Sequence, residues 1–295
     1  MKQLLFALPG NEKLTDSLAA ILGAERGQAE IRPFPDGETY IRILSEVKGR
    51  QVVLVCTLHH PDEKLLPLYL LSQTLRELGA QHVCLVAPYL AYMRQDKQFK
   101  SGEGITSRYF AKLISSIADS LFTIDPHLHR FHGLQELYTI PALALHAAPL
   151  LADWVKQHVP KPILIGPDEE SMQWVSEVAG LAEFPSLVLQ KTRLGDKHVE
   201  VSQPVLVQYK DHTPVLVDDI ISTARTMIET IQQLKKLTSI SPVCIGVHAV
   251  FGAGAYEALQ SAGAAKVVTC NTITHPSNAI RVDAILAEAI TADSF

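Results

Sequence analysis

The chain carries one run of elements twice, and that repetition constrains the fold more than any single motif. Residues 3–23, QLLFALPGNEKLTDSLAAILG, read as strand, Pro-containing turn and helix, with Leu14, Leu18 and Ile21 on one face. Residues 161–180, KPILIGPDEESMQWVSEVAG, repeat the order with Met172, Val175 and Val178 as the face. Each closes on a glycine, Gly23 and Gly180, the residue that most readily takes the left-handed conformation ending a helix. The parallel continues from VVLVCTLHHPDEKLLPLYLLSQTLRELGAQHVCLVAPY, with a Leu71, Leu75 and Leu78 face, to VLVDDIISTARTMIETIQQLKKLTSISPVCIGVHAVF. Short Val/Ile-rich runs alternating with helix-length segments predict βαβ units and parallel sheets covered on both faces. The expected fold is α/β: two duplicated domains, each a mainly parallel sheet flanked by helices. A boundary is expected where Pro141, Pro149 and Pro160 cluster, giving residues 1–145, 146–279 and a strand-to-helix C-terminal segment, 280–295.

Composition narrows the function. With 295 residues, 47% hydrophobic and 19% charged, there is enough apolar material for two cores. A formal charge of −5 argues against a sequence-independent nucleic-acid binder, so any phosphate recognition must be local. The longest apolar-rich segment, IPALALHAAPLLADW, is interrupted by His146 and two prolines and is too short for a membrane span, and the N-terminal apolar patch runs into a charged helix-like segment. A cytoplasmic location is expected. Cys56, Cys84, Cys244 and Cys270 lie far apart inside β-like runs, which predicts buried free thiols.

Five constellations carry candidate chemistry. In VLVDDIISTART, residues 215–226, an apolar run ends in Asp218 and Asp219 and opens into a hydroxyl-rich loop before a helix. Carboxylates accept hydrogen bonds from vicinal hydroxyls, while a helix N-terminus and its loop favour phosphate; a solvated loop with an N-cap is the plainer alternative. The first half has Cys56 and Thr57 at the matching place, so the fold alone does not demand the acidic pair. PFPDGETYIRI (33–43) reads as a hairpin tip, or as Phe34, Asp36 and Glu38 offered to a purine with an exocyclic amine. PYLAYMRQDKQF (88–99) follows a buried strand and sets Arg94 and Lys97 in a loop suited either to solvent or to a polyphosphate.

In DPHLHRFH (125–132), three crowded histidines suggest zinc, yet nothing forces them to converge; one histidine on a magnesium-bound phosphate is the better reading. QKTRLGDKHVEV (190–201) reads as a solvated hairpin or as a basic lid closing over transferring phosphates.

These segments, collinear over nearly the whole chain as FPDGE, PYLAYMRQDKQF, DPH, GPDEES, KTR and VLVDDIISTART, resemble the ribose-phosphate pyrophosphokinase family. The resemblance implies two phosphoribosyltransferase-type domains and transfer of the diphosphoryl group of ATP to the 1-hydroxyl of ribose 5-phosphate, with Mg²⁺. It further implies that Asp218 and Asp219 bind the ribose hydroxyls and that Ser222, Thr223, Ala224, Arg225 and Thr226 bind the 5-phosphate. Phe34, Asp36 and Glu38 would contact adenine from a neighbouring subunit of a homo-oligomer, while Arg94, Gln95 and Lys97 would hold ATP. His127 and Asp168 would organise the metal, and Lys191 and Arg193 would act as the catalytic pair, sharing one face of a β-like segment. The C-terminal segment would pack back on the first domain.

The chain departs from the family where an acidic residue and glycines are usual in the phosphate loop: here stand Ser222, Ala224 and Arg225, and the missing glycines are expected to restrict positive φ angles. Glu169, Glu170 and Ser171 likewise replace small residues after Pro-Asp. A phosphoribosyltransferase would share residues 215–226 but has no use for a partner domain carrying FPDGE and RQD. A silent regulatory relative is the other alternative, opposed by the intact Lys191, Arg193, His127 and carboxylates.

Overall fold

A computed structural model describes residues 3–167, 171–188 and 209–292. The chain divides into two compact units, Met1–Leu145 with Asp283–Phe295, and His146–Val282.

The first unit is built on a six-stranded parallel sheet in the order β2-β1-β5-β6-β7-β8. Its strands are β1 (Leu4–Ala7), β2 (Glu25–Arg26), β5 (Gln51–Val55), β6 (His82–Ala87), β7 (Ser120–Ile124) and β8 (Ala142–Leu145). The apolar runs VVLV, VCLVA and SLFTI are buried along their length, as a sheet covered on both faces requires. Helices α1 (Glu12–Leu22), α2 (Asp62–Glu77) and α3 (Thr106–Ile117) supply the cover. An antiparallel hairpin, β3 (Ala29–Pro33) with β4 (Thr39–Ile43), interrupts the pattern between β2 and β5.

The second unit repeats the plan in the order β10-β9-β11-β12-β13-β14, again wholly parallel. Here the strands are β9 (Pro162–Gly166), β10 (Ser186–Val188), β11 (Thr213–Ile221), β12 (Val243–Ala249), β13 (Lys266–Cys270) and β14 (Asn278–Ile280). Helices α4 (Ala148–His158), α5 (Met172–Ala182), α6 (Arg225–Leu234) and α7 (Ala255–Ala262) flank it. The amphipathic α6 buries Met227, Thr230, Ile231 and Leu234, at i, i+3, i+4 and i+7, into a core with Ile165, Leu216, Ile221, Cys244 and Leu259. Each large aliphatic buried there contributes about 2 kcal/mol. The last helix, α8 (Asp283–Ala292), belongs to the first unit and packs on α1.

Strand for strand the two orders coincide, which bears out the α/β reading with two repeated domains. In both, the chain winds one way from the first strand and the other way from the third, so the order reverses between β1 and β5 and between β9 and β11. All four cysteines are buried thiols outside any disulfide, as expected.

The helix faces need correction at their ends. Leu18, Leu71, Leu75, Val175 and Val178 are buried, but Ile21, Leu78 and Met172 are about half exposed. Each of these lies at or just beyond a helix terminus, where a rule of three-to-four-residue spacing still applies but the sheet beneath has ended. The glycine closures also differ. Gly23 takes φ +60 and caps α1, whereas α5 runs through Gly180 to Ala182 and ends on Glu183 at φ +55. Glutamate in that region costs about 1 kcal/mol that glycine avoids.

Candidate functional site

In an open parallel sheet, ligands sit beyond the carboxyl ends of the strands at the point where the order reverses. In the second unit that point lies between β9 and β11. β11 is longer than expected: it does not end at Asp218 and Asp219 but continues to Ile221, because Asp218, Ile220 and Ile221 pair with Gly246, His248 and Ala249 of β12. On the other side, pairing with β9 stops at Leu216. Both aspartates therefore stand where the strand has lost its β9 neighbour and kept β12. Successive strand residues face opposite sides of a sheet. Accordingly Asp219 is buried and Asp218 is half-buried, with Asp218 Oδ1 accepting the Asp219 N–H at 3.0 Å.

The loop that follows is short, Ser222 to Ala224, and leads directly into α6. Ala224 adopts φ +58, so the absence of glycine does not prevent the left-handed turn. The strain, about 1 kcal/mol, is offset by burying the Ala224 methyl in the core beside Ile221 and Met227. No side chain caps α6, so its first N–H groups and the positive end of its dipole face the loop. Ser222 and Thr226 are half-buried, Thr223 and Arg225 exposed. The loop is held from behind by the Gly252 N–H, which donates to the Ser222 carbonyl at 3.1 Å.

Two residues missed in the sequence shape this place. Gly246, opposite Asp218, has no room for a methyl group: a Cβ there would lie 2.6 Å from Ile221 Cγ1. A glycine inside the apolar run VCIGVHA was the available signal of such a close approach. Buried His248 donates from Nδ1 to Thr272 Oγ1 at 2.9 Å, since that hydroxyl spends its own proton on the Val247 carbonyl at 3.1 Å.

In the first unit the FPDGE segment is a hairpin tip, with Pro33 paired to Thr39 and Gly37 at φ +92. Asp36 Oδ1 accepts the Glu38 N–H at 3.2 Å, so part of that carboxylate serves the turn. Phe34 is 40% exposed, edge-on to Tyr40 at 5.6 Å, with the Arg32 guanidinium 4.3 Å from the Tyr40 centroid. A hairpin and an exposed aromatic face thus coexist.

Arg94, Gln95 and Lys97 lie in the loop beyond β6, with Arg94 and Lys97 exposed. Neither cation has an ion-pair partner among the described residues. Gln95 is half-buried, 3.5 Å from Glu103 Oε2. Between them Asp96 points inward and pairs with Arg130 of the loop beyond β7, a contact unseen in the sequence because it joins neighbouring strand ends 34 positions apart. His127, half-buried in that second loop, lies with Nδ1 3.1 Å from His129 Nε2. Asp168, Lys191 and Arg193, with Glu169 and Glu170, lie outside the described residues.

The strand-end donors are chiefly hard oxygens, from carboxylates and hydroxyls, joined by the borderline nitrogen of imidazole. The thiols lie in the cores, and burial pushes Cys56 and Cys244 up to about 12. Such a set fits Mg²⁺, which prefers oxygen and shares its shell with phosphate and water, better than a thiolate-bound metal. No helix among the described residues is long and apolar enough to cross a membrane.

Comparison with known proteins agrees with this architecture. Residues 3–117 match the N-terminal domain of ribose phosphate pyrophosphokinase, and residues 133–284 match the phosphoribosyl transferase domain. A ribose-phosphate pyrophosphokinase of Methanothermobacter thermautotrophicus is 32% identical over 289 residues, covering 97% of this chain and 99% of that one. One from Methanosarcina mazei is 34% identical, covering 96% and 93%. The crystal structure of phosphoribosylpyrophosphate synthetase from Mycobacterium smegmatis superimposes with a TM-score of 0.85 at 23% identity, over 99% of this chain and 98% of that one, so the fold is shared end to end. The chain belongs to the ribose-phosphate pyrophosphokinase family.

Proposed function

We propose that this enzyme transfers the diphosphoryl group of ATP to the 1-hydroxyl of ribose 5-phosphate, yielding 5-phosphoribosyl 1-diphosphate and AMP. The observation that carries the reading is the strand–loop–helix of residues 215–226 at the reversal point of the second sheet, with an acidic pair at one end and an uncapped helix N-terminus at the other. Asp218 and Asp219 accept hydrogen bonds from the ribose hydroxyls. Residues 222–226 hold the 5-phosphate through N–H groups, Ser/Thr hydroxyls and the Arg225 charge.

The first unit supplies the nucleotide side: Arg94, Gln95 and Lys97 hold the triphosphate, and the Phe34 hairpin serves adenine across a subunit boundary of a homo-oligomer. The exposure of Phe34, Arg94 and Lys97 supports that assignment. His127 and Asp168 hold Mg²⁺, which when bound supplies positive charge to the phosphate oxygens. Attack of the ribose 1-oxygen on the β-phosphorus breaks its bond to the bridging oxygen of AMP, and this needs in-line positioning and charge neutralisation rather than a covalent nucleophile. Lys191 and Arg193 stabilise the charge that develops there. The domain limits, a cytoplasmic location and oligomerisation belong to the same reading.

One assay tests it: purified protein with ATP, Mg²⁺ and ribose 5-phosphate, followed for the nucleotide released. AMP is the expected product. ADP would indicate an ordinary kinase, and no turnover with any donor would overturn the assignment.

A further inference from the structure

The two strand-end loops of the first unit are joined by an ion pair that the reaction as described does not use. Asp96 lies in sequence among Arg94, Gln95 and Lys97, yet its side chain is only 1% exposed. Both its oxygens accept from Arg130 Nη1, at 3.1 and 2.9 Å. A carboxylate removed from water to that degree needs a compensating charge, and Arg130, three residues beyond His127, supplies it. A second link joins the same loops: the Arg130 guanidinium lies 5.9 Å from the Phe99 centroid, and Lys97 Nζ lies 5.0 Å from that ring.

Turning Asp96 inward leaves its neighbours Arg94 and Lys97 turned outward. The loop that presents cations is thereby anchored, through its one buried acid, to the loop that carries His127.

We infer that Asp96 and Arg130 are positioning residues for the nucleotide: the tether fixes the spacing between the Arg94–Lys97 segment and His127 before the triphosphate arrives, and neither side chain touches it. The inference rests on the reading that Arg94 and Lys97 hold ATP. Displacement of a binding group by about an ångström is enough for large losses, so slackening the tether weakens ATP binding without affecting the ribose side.

The test uses steady-state kinetics of the full-length enzyme with both substrates varied, for Arg130→Gln, Asp96→Asn and Arg130→Lys, with Arg94→Ala as reference. Arg130→Gln is expected to raise KM for ATP about tenfold, with KM for ribose 5-phosphate changed less than twofold. Asp96→Asn withdraws the charge and one of the two acceptors of the anchor without stranding a buried charge, so it gives the same pattern, to a smaller extent, in a folded protein even if Arg130→Gln does not fold. Because a single nitrogen makes both contacts, Arg130→Lys is expected to recover most of the loss. A purely structural pair would lower the melting temperature and leave both KM values unchanged, or shift them equally; either result overturns the tether, as does an Arg130→Lys enzyme no better than Arg130→Gln. If Arg94→Ala leaves KM for ATP unchanged, the nucleotide reading itself fails; if only the tether variants do, it stands and the tether falls.

Discussion

The ends of β5 and β11 occupy the same place in two copies of one sheet, yet only the second carries the acidic pair and hydroxyl-rich loop proposed to take a sugar phosphate. In the first unit, Cys56 and Thr57 stand where the second has Asp218 and Asp219, and the loop is satisfied internally. Asn11 Oδ1 accepts the Thr57 N–H at 2.8 Å, and Lys64, from the first turn of α2, donates to the Thr57 carbonyl at 2.8 Å and to His59 Nδ1 at 2.9 Å. In the second, the short loop of residues 222–224 leads directly into α6, and although neither α2 nor α6 has a side-chain cap, only α6 follows an acidic pair. The register extends the contrast: Val55 pairs with Val86 as Val217 pairs with Ile245, so Ala87 is the counterpart of Gly246. The first unit accommodates a methyl where the second must leave room for Ile221. The fold provides the place, and a few side chains decide what chemistry it carries.

Exchanging the two pairs of residues has the largest expected effect. Asp218→Cys with Asp219→Thr should lower kcat/KM for ribose 5-phosphate by at least about a hundredfold, or about 3 kcal/mol, while far-ultraviolet circular dichroism stays unchanged. A normal kcat/KM would remove the acceptor role of both carboxylates.

Gly246→Ala imposes the first unit's residue on the second. Displacing Ile221 should cost about 1–3 kcal/mol by urea unfolding and raise KM for ribose 5-phosphate through the loop that Ile221 anchors. An enzyme unchanged in both respects would mean that Ile221 repacks freely.

The internally satisfied loop of the first unit has a pH signature. Burial, then the Lys64 ammonium, then His60, lower His59 from 6.5 to about 4. Its neutral form is therefore favoured on folding. The stability this provides is present above pH 6.5 and is lost as the pH falls through 4. Because the ring is only half-buried, solvent screening reduces the contribution to about 1 kcal/mol. His59→Gln should flatten the stability profile between pH 6.5 and 4 by that amount. An unaltered slope would show that other groups carry the acid lability.

The smallest effect concerns helix ends. Gly180 is helical, with open space where a Cβ would stand, whereas Gly23 needs its positive φ. Gly180→Ala should stabilise by about 0.5–1 kcal/mol, and Gly23→Ala should destabilise by a similar amount, both read from the unfolding midpoint. Opposite signs would invalidate the assigned helix ends.

Much of the molecule was legible before folding. Unbroken Val/Ile/Leu runs and helical spacing foretold the parallel sheets and their duplication, because burial on both faces leaves little alternative composition. The acidic pair and the hydroxyl-rich loop were visible as a unit because strand, loop and helix are consecutive. Three helix-face assignments failed at Ile21, Leu78 and Met172, since periodicity does not record where the covering sheet stops. The extent of β11 was missed for a related reason: Asp218 and Asp219 resemble a strand end until β12 pairs alongside.

By itself, the sequence determined the α/β class, the repetition of the plan, the buried thiols and the family to which the chain belongs. These follow from local pattern, propensity and collinear motifs. Only the tertiary structure decided that Asp218 and Asp219 stand on a strand that has lost one neighbour, that Ala224 bears the left-handed turn, that Gly246 must lack a side chain, and that Asp96 is neutralised by Arg130. Each depends on which distant segment lies beside which, and that is fixed by strand order and close packing, not by the identity of neighbours along the chain.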